Sequence, residues 1–310
     1  MMQTKIIGTL RTTALFPASL AIVAGLLTGC GAGTDGADAA QHEATAATNS
    51  SVQSSKATAG KDHSGPADFE GTMQQVMIDL GPDAIRAIAG SNDLSAVLAL
   101  SPDRVIEAVR NGEVEAESIQ KSTVEIDGPM GRVQYEGQSG YTIIDGEQQA
   151  VRVVDGENRT IVTMRPNEMA AGKNGEESSP MTPDIETVGK REIRGFDATG
   201  YRFEFLDDSI VTIWMSEELG SQIGAVFDVW TDLSPFGHME QLGDGVPVRT
   251  VTVNHETLAT GGGFMPAYTI LEQYDLQPGD IDDTRFELPE GYQQMDMADL
   301  ASGMPMPSGG

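Results

Sequence analysis

From Glu117 onward, large apolar and polar side chains alternate with a period of two, most clearly in STVEI, GRVQYE, YTII, AVRVV and RTIVTM. Strict alternation of this kind marks strands with one face on a core. Asp127-Gly128, Asp145-Gly146 and Asp155-Gly156 separate the runs. Such pairs supply the positive φ angles of tight hairpin turns, so the five segments predict an antiparallel meander. KREIRGF, YRFEFL and SIVTIWM predict three further strands, and PVRTVTVNH and AYTILEQYDL the last long ones, flanking a loop from Leu258 to Pro266. RFELPEGY closes the domain, while residues 166–188 are polar, interrupted by three prolines, and read as a mobile loop.

Before Glu117 the period is closer to 3.6. Met73, Val76, Met77 and Leu80 fall at i, i+3, i+4 and i+7, although residues 69–79 also fit a first strand. Pro82 and Asp83 open a helix that carries Ile85, Ile88 and Ala89, and Leu94, Val97 and Leu98 suggest another. The clearest helix has Ser101 as N-cap, Pro102 at its first position, Val105, Ile106 and Val109 as its buried stripe, and Asn111-Gly112 as its stop. Ser216 caps a later amphipathic helix with Ile223, Val226, Phe227 and Trp230 on one face. The division expected is a signal peptide over 1–29, a lipidated cysteine and tether over 30–66, a helical segment over 67–114, a β-domain over 115–294 and a Met/Pro/Gly tail over 295–310.

The two ends place the protein. Lys5 and Arg11 precede an apolar stretch too short and too interrupted by Pro17 to span a bilayer, and it reads as a signal peptide. It ends in Leu27-Thr28-Gly29-Cys30, which resembles the lipobox of bacterial lipoproteins and implies a diacylglycerol on the sulfur of Cys30 after cleavage at Gly29. Gly31 rather than Asp follows, which resembles sorting to the outer membrane. Cys30 is the chain's one cysteine, so intrachain disulfides and cysteine-ligated clusters are excluded. Residues 31–65 hold almost no large apolar side chain and would form a flexible tether spanning on the order of 30 Å.

The charge narrows the partners. Forty-seven acids face 19 bases, a formal charge of −28, and removal of the segment bearing Lys5 and Arg11 leaves 17 bases and −30. A nucleic-acid partner requires Lys and Arg to replace phosphate counterions, so none is expected. Catalysis requires a nucleophile beside a base, paired carboxylates or a metal. Gly137-Gln138-Ser139-Gly140-Tyr141 lacks the glycine spacing of a nucleophile elbow, and His42, His63, His238 and His255 show no zinc spacing. Asp207-Asp208 and Asp282-Asp283 read as solvated turns, and Met295, Met297, Met304 and Met306 as tail residues rather than a copper site. No cofactor is expected, and the chain does not read as an enzyme. Gly261-Gly262-Gly263-Phe264-Met265-Pro266 places two large apolar side chains at a glycine-rich tip, which makes Phe264 and Met265 the candidate ligand or membrane contact.

A wider resemblance rests on ordered motifs: Arg132-Val133 and Glu136 before YTIID, then RTIVTM, then Ile193-x-Gly195-Phe196 leading to Tyr201. They continue through Ile213-Trp214-Met215-Ser216 with Leu219-Gly220 and end at Phe286-x-x-Pro-x-Gly-Tyr292. Together they resemble a bacterial family of exported proteins of the domain-of-unknown-function type, which is similar to the LolA/LolB lipoprotein carriers and RseB-like sensors. That resemblance implies an α+β fold, a curved antiparallel half-barrel with a few packing helices, and no reaction. The function expected is a noncatalytic module, anchored by Cys30 and facing the periplasm, that binds a lipid, acyl chain or peptide. The alternative is an envelope interaction or stress-sensing module without a small ligand, and a hydrolase ranks third.

Overall fold

The computed structural model describes residues 69–165, 184–205, 209–233, 242–243, 245–262 and 265–297. Twelve strands form one sheet: β1 (Glu70–Leu80), β2 (Ser118–Asp127), β3 (Met130–Tyr135), β4 (Tyr141–Asp145), β5 (Ala150–Asp155), β6 (Thr160–Met164), β7 (Glu186–Ile193), β8 (Phe196–Phe205), β9 (Ser209–Ser216), β10 (Val246–Asn254), β11 (Tyr268–Pro278) and β12 (Gln293–Asp296). Their order is β12-β6-β5-β4-β3-β2-β1-β11-β10-β9-β8-β7, so the sheet stays open between β12 and β7. Every pairing is antiparallel except that of β12 with β6. The helices are α1 (Pro82–Ala89), α2 (Leu94–Leu98), α3 (Pro102–Arg110), α4 (Glu217–Leu233) and α5 (His255–Thr260).

Helix α4 shows how far the sheet curves. It touches β4 and β5 near one end of the strand order and β8 and β10 near the other. On a flat sheet β5 and β8 would lie eight strand spacings, about 38 Å, apart. A 17-residue helix is only about 25 Å long, so the sheet has to curl for one helix to touch both. Leu219, Ile223, Val226 and Val229 of α4 enter a core with Met73, Val124, Val133, Ile144, Val153 and Val248. Gly131 permits close approach on β3, since a Cβ there would lie 2.5 Å from a Val226 methyl. This is the half-barrel with a few packing helices that the sequence led us to expect. A second core joins Ile78, Leu80, Val251, Val253, Tyr268 and Ile270 of the sheet to Ile85, Val97, Val105 and Ile106 of α1, α2 and α3, with Leu258 of α5.

The segment over 67–114 requires correction, because its first part is a strand. β1 lies in the middle of the sheet, paired with β2 on one side and β11 on the other. Met73 enters the first core, whereas Ile78 and Leu80 enter the second. A strand buried on alternate faces along its length mimics the 3.6 spacing. The helices after it begin and end near their expected positions, and α3 starts after Ser101, whose side chain makes no capping hydrogen bond. Residues 258–260 of the expected loop are the end of α5, capped by Asn254, whose Oδ1 accepts the Thr257 N–H at 2.8 Å.

Turns depart from expectation in a physically simple way. Gly128 has φ 53°, but after β4 and β5 the positive φ falls on Gln149 and Arg159. Those loops are longer, and the aspartates act as acceptors: Asp145 Oδ1 takes the Gln148 N–H, and Asp155 Oδ1 those of Glu157 and Asn158. KREIRGF is a hairpin rather than one strand, because Arg194 and Gly195, at φ 53° and 90°, form a two-residue turn between β7 and β8.

Tyr135, in the first core, gives the fold an alkaline limit. Burial pushes its phenol up to about 12, so the folded state favours the neutral form. The stability linked to this shift is complete below the unfolded value of about 10 and is lost as pH rises toward 12. Between pH 9 and pH 11 denaturant titrations should show a loss of about 1 kcal/mol from this residue, and Tyr135→Phe should lower the slope by that share.

Candidate functional site

Strand register builds the site. On one face of the sheet, Glu272, Arg249, Trp214 and Gly200 lie abreast on β11, β10, β9 and β8. Beside that row lies another of Ile270, Val251, Thr212 and Arg202, and beyond it Tyr268, Val253 and Ile210. The α2-to-α3 segment, Val97 to Pro102, crosses above this face, and Val188 and Arg191 of β7 close one side. Between them is a cavity of about 300 Å³. Its walls are aliphatic and aromatic on the sheet side, where Val251, Val253, Tyr268 and Trp214 meet Val97.

Charge at this cavity runs against the chain as a whole. Glu272 is fully buried and accepts Arg194 Nε and Arg249 Nε, each at 2.6 Å. Arg249, 2% exposed, also donates Nη2 to Asp103 Oδ1 at 2.7 Å from the first turn of α3. Burial raises the Asp103 carboxyl, but the Arg249 hydrogen bond and the charges of Arg249, Arg191 and Arg194 outweigh it and hold the group below its ordinary value. Arg191 stacks its guanidinium 3.8 Å above the Trp214 ring, and Arg202 Nε donates to Thr212 Oγ1 at 3.2 Å. Three guanidinium groups, those of Arg249, Arg194 and Arg191, therefore gather around Asp103 and Glu272, and Arg202 adds a fourth at the cavity wall.

Pairing elsewhere makes the imbalance specific. Arg132 has Glu125 at 3.0 Å and Arg152 has Asp145 at 3.0 Å, while Arg285 grips the same Glu125. Among the described residues, neither Arg191 nor Arg202 has a carboxylate within salt-bridge distance. Arg191 Nε and Arg249 Nη1 are buried without an acceptor. A buried donor left unmatched costs about 1–3 kcal/mol, more when charged, unless something accepts from it. Burial and then the charge of Arg249 push the Arg191 guanidinium below its usual value, yet it stays a cation.

The stacked pair also requires Gly200. A Cβ there would fall 2.6 Å from the Trp214 ring and 2.7 Å from a Val188 methyl, so the absence of a side chain lets the indole lie across β8 beneath Arg191.

The described residues among those singled out from sequence are not part of the cavity lining. Met265 is 39% exposed between α5 and β11, away from the cavity lining, and its carbonyl accepts the Thr257 hydroxyl at 3.0 Å. Phe264, Cys30, His42, His63, His238, Asp207, Asp208, Met304 and Met306 lie outside the described residues, as does most of the loop over 166–188. His255 opens α5, Asp282 accepts the Thr284 N–H at 3.0 Å, and Met297 packs on the first core. Among the described residues no group of three or more His, Cys, Asp or Glu side chains could hold a metal. The arginines were missed because β7, β8 and β10 bring them together from distant parts of the chain. Their signal was basic residues inside strand runs of a strongly acidic protein.

No protein-family model matches the chain, and no curated protein matches it in sequence. Solved structures with a similar chain path include a conserved protein from Thermus thermophilus, at 9% identity over 73% of this chain and 90% of that one, TM-score 0.36. The Pseudomonas aeruginosa MucA/MucB complex matches at 10% identity over 73% of this chain and 59% of that one, TM-score 0.32. A LolA superfamily protein from Nitrosomonas europaea matches at 9% identity over 72% and 91%, TM-score 0.27.

Proposed function

We propose that the chain is a noncatalytic binding module of the bacterial envelope whose cavity under the α2-to-α3 segment takes an apolar ligand. The observation that carries this reading is the cavity itself, about 300 Å³, walled by Val97, Val251, Val253, Tyr268 and Trp214. That volume is at the lower end of sites that bury a small ligand, about 300–1,000 Å³, and suits one short apolar chain better than a lipid with several long ones. Ala99 is exposed at the rim of the cavity, so Ala99→Trp obstructs the entrance without touching either core. Binding of a neutral probe such as octanol should fall at least tenfold in that variant, with stability within about 0.5 kcal/mol of wild type. Octanol binding unchanged in the variant would rule out this cavity as the site, and no octanol binding to wild type would favour the alternative, an interaction or sensing module without a small ligand.

Anchoring belongs to the same proposal. The sequence Leu27-Thr28-Gly29-Cys30 supports a lipid-modified N-terminus, and Gly31 supports retention in the outer membrane, facing the periplasm. Several acyl chains hold a protein on a membrane where one is marginal. Cys30→Ser should abolish fatty-acid labelling and leave an uncleaved, slower-migrating precursor; persistent labelling would overturn the assignment of Cys30.

A further inference from the structure

We infer that the ligand of this cavity is an anionic amphiphile, one short apolar chain ending in a carboxylate or phosphate head group held by Arg191 and Arg202. This deepens the binding-module reading and rests on it. In a chain of formal charge −28, cations without a carboxylate at salt-bridge distance are unexpected at a cavity wall, and among the described residues Arg191 and Arg202 are two of them. Glu272 is held by Arg194 and Arg249, and Asp103 by Arg249, while Glu186, opposite Arg202 on β7, is exposed and makes no ion pair with it. One or two negative charges from outside would balance the cluster. A planar guanidinium presents paired donors that fit a carboxylate or phosphate, and Arg191 and Arg202 both line the cavity.

Two further features aim the same way. Ser101 and Pro102 line the cavity, so the N-terminal end of the nine-residue α3 faces it. The Ser101 side chain is not used as a cap, which leaves the first N–H groups of α3 and the positive end of its dipole toward the ligand. Trp214, beneath Arg191, keeps that guanidinium stacked at the cavity wall. Thr212 restrains Arg202 through one Nε, leaving its two terminal nitrogens without a protein acceptor among the described residues. The head group would thus meet Arg202, Arg191 and the start of α3, with the chain running over Val251, Val253 and Tyr268.

The test is calorimetric titration of the full chain, kept in non-ionic detergent with detergent blanks, using octanoate, octyl phosphate and octanol. Octanoate or octyl phosphate should bind at least tenfold more tightly than octanol, and the tighter of the two identifies the head group. Raising the salt from about 0.05 to about 0.5 M should weaken the anion several-fold and leave octanol unchanged. Arg202→Gln and Arg191→Gln should each lower anion affinity at least tenfold and spare octanol, while Arg110→Gln, at the far end of α3, should change neither. Should Arg191→Gln fail to fold, Arg191→Lys and the salt series on the wild-type chain still decide. Octanol binding as tightly as both anions would overturn the anionic head group and leave the apolar cavity standing. Binding of none of the three would overturn both readings, and unchanged anion affinity in both glutamine variants would overturn the assignment to these arginines.

Discussion

Glu272→Leu is expected to lower the free energy of unfolding by about 3–5 kcal/mol, because it removes one side of a buried ion pair and leaves the other. Glu272 is fully buried, and Arg249 is 2% exposed. Without the carboxylate, Arg249 keeps only Asp103, whose side chain is 66% exposed, and Arg194 loses its acceptor. Arg191 has no carboxylate at salt-bridge distance among the described residues, so three guanidinium groups would then share Asp103 alone. The double variant Glu272→Leu/Arg249→Met should recover most of the loss, since two apolar side chains replace the pair in a similar volume. Urea titrations of wild type, both single variants and the double variant form the required cycle. A stable Glu272→Leu protein, or a double variant no better than the single, would show that the pair is not what holds this part of the sheet.

Much of the fold was legible because its strands obey simple chemistry. STVEI, GRVQYE, YTII, AVRVV and RTIVTM all contain strands of the meander, and each pairs antiparallel with its neighbour in sequence. Illegible parts share one cause, dependence on distant partners. β1 reads as helix or strand because its apolar residues enter different cores, and only pairing with β2 and β11 decides. β12 is short and polar, with three of its four residues exposed, so nothing local announces its parallel pairing with β6. The Arg194-Gly195 turn lacks the usual Asn or Asp, which hid the hairpin in KREIRGF. The site was the least visible part. Arg191, Arg202 and Arg249 sit on three strands, and Asp103 and Glu272, near Arg191 and Arg249, come from two more elements, so sequence spacing does not encode that meeting. Sequence instead drew attention to Phe264 and Met265, because apolar residues at a glycine-rich tip stand out locally while a cavity wall does not.

Ile223→Ala should cost about 2–5 kcal/mol and should do so for the entire sheet at once. Ile223 is 1% exposed in the middle of α4, between Leu219 and Val226, which are fully buried. A cavity opened there has little freedom to collapse, because Val226 already presses on β3 where only Gly131 allows it. The helix touches β4 and β5 on one side and β8 and β10 on the other, so packing lost at its centre weakens both ends of the curl together. Amide hydrogen exchange reads β4 and β5 separately from β8 and β10, near the two ends of the strand order. In denaturant titrations the two sets of strands should therefore show coincident transitions in wild type and in the variant, both moved to lower denaturant by the same amount. Ser221→Ala, on the exposed side of α4, should shift neither by more than about 0.5 kcal/mol. Transitions that separate in the Ile223→Ala protein would mean that the two ends of the sheet fold independently and that α4 belongs to only one of them.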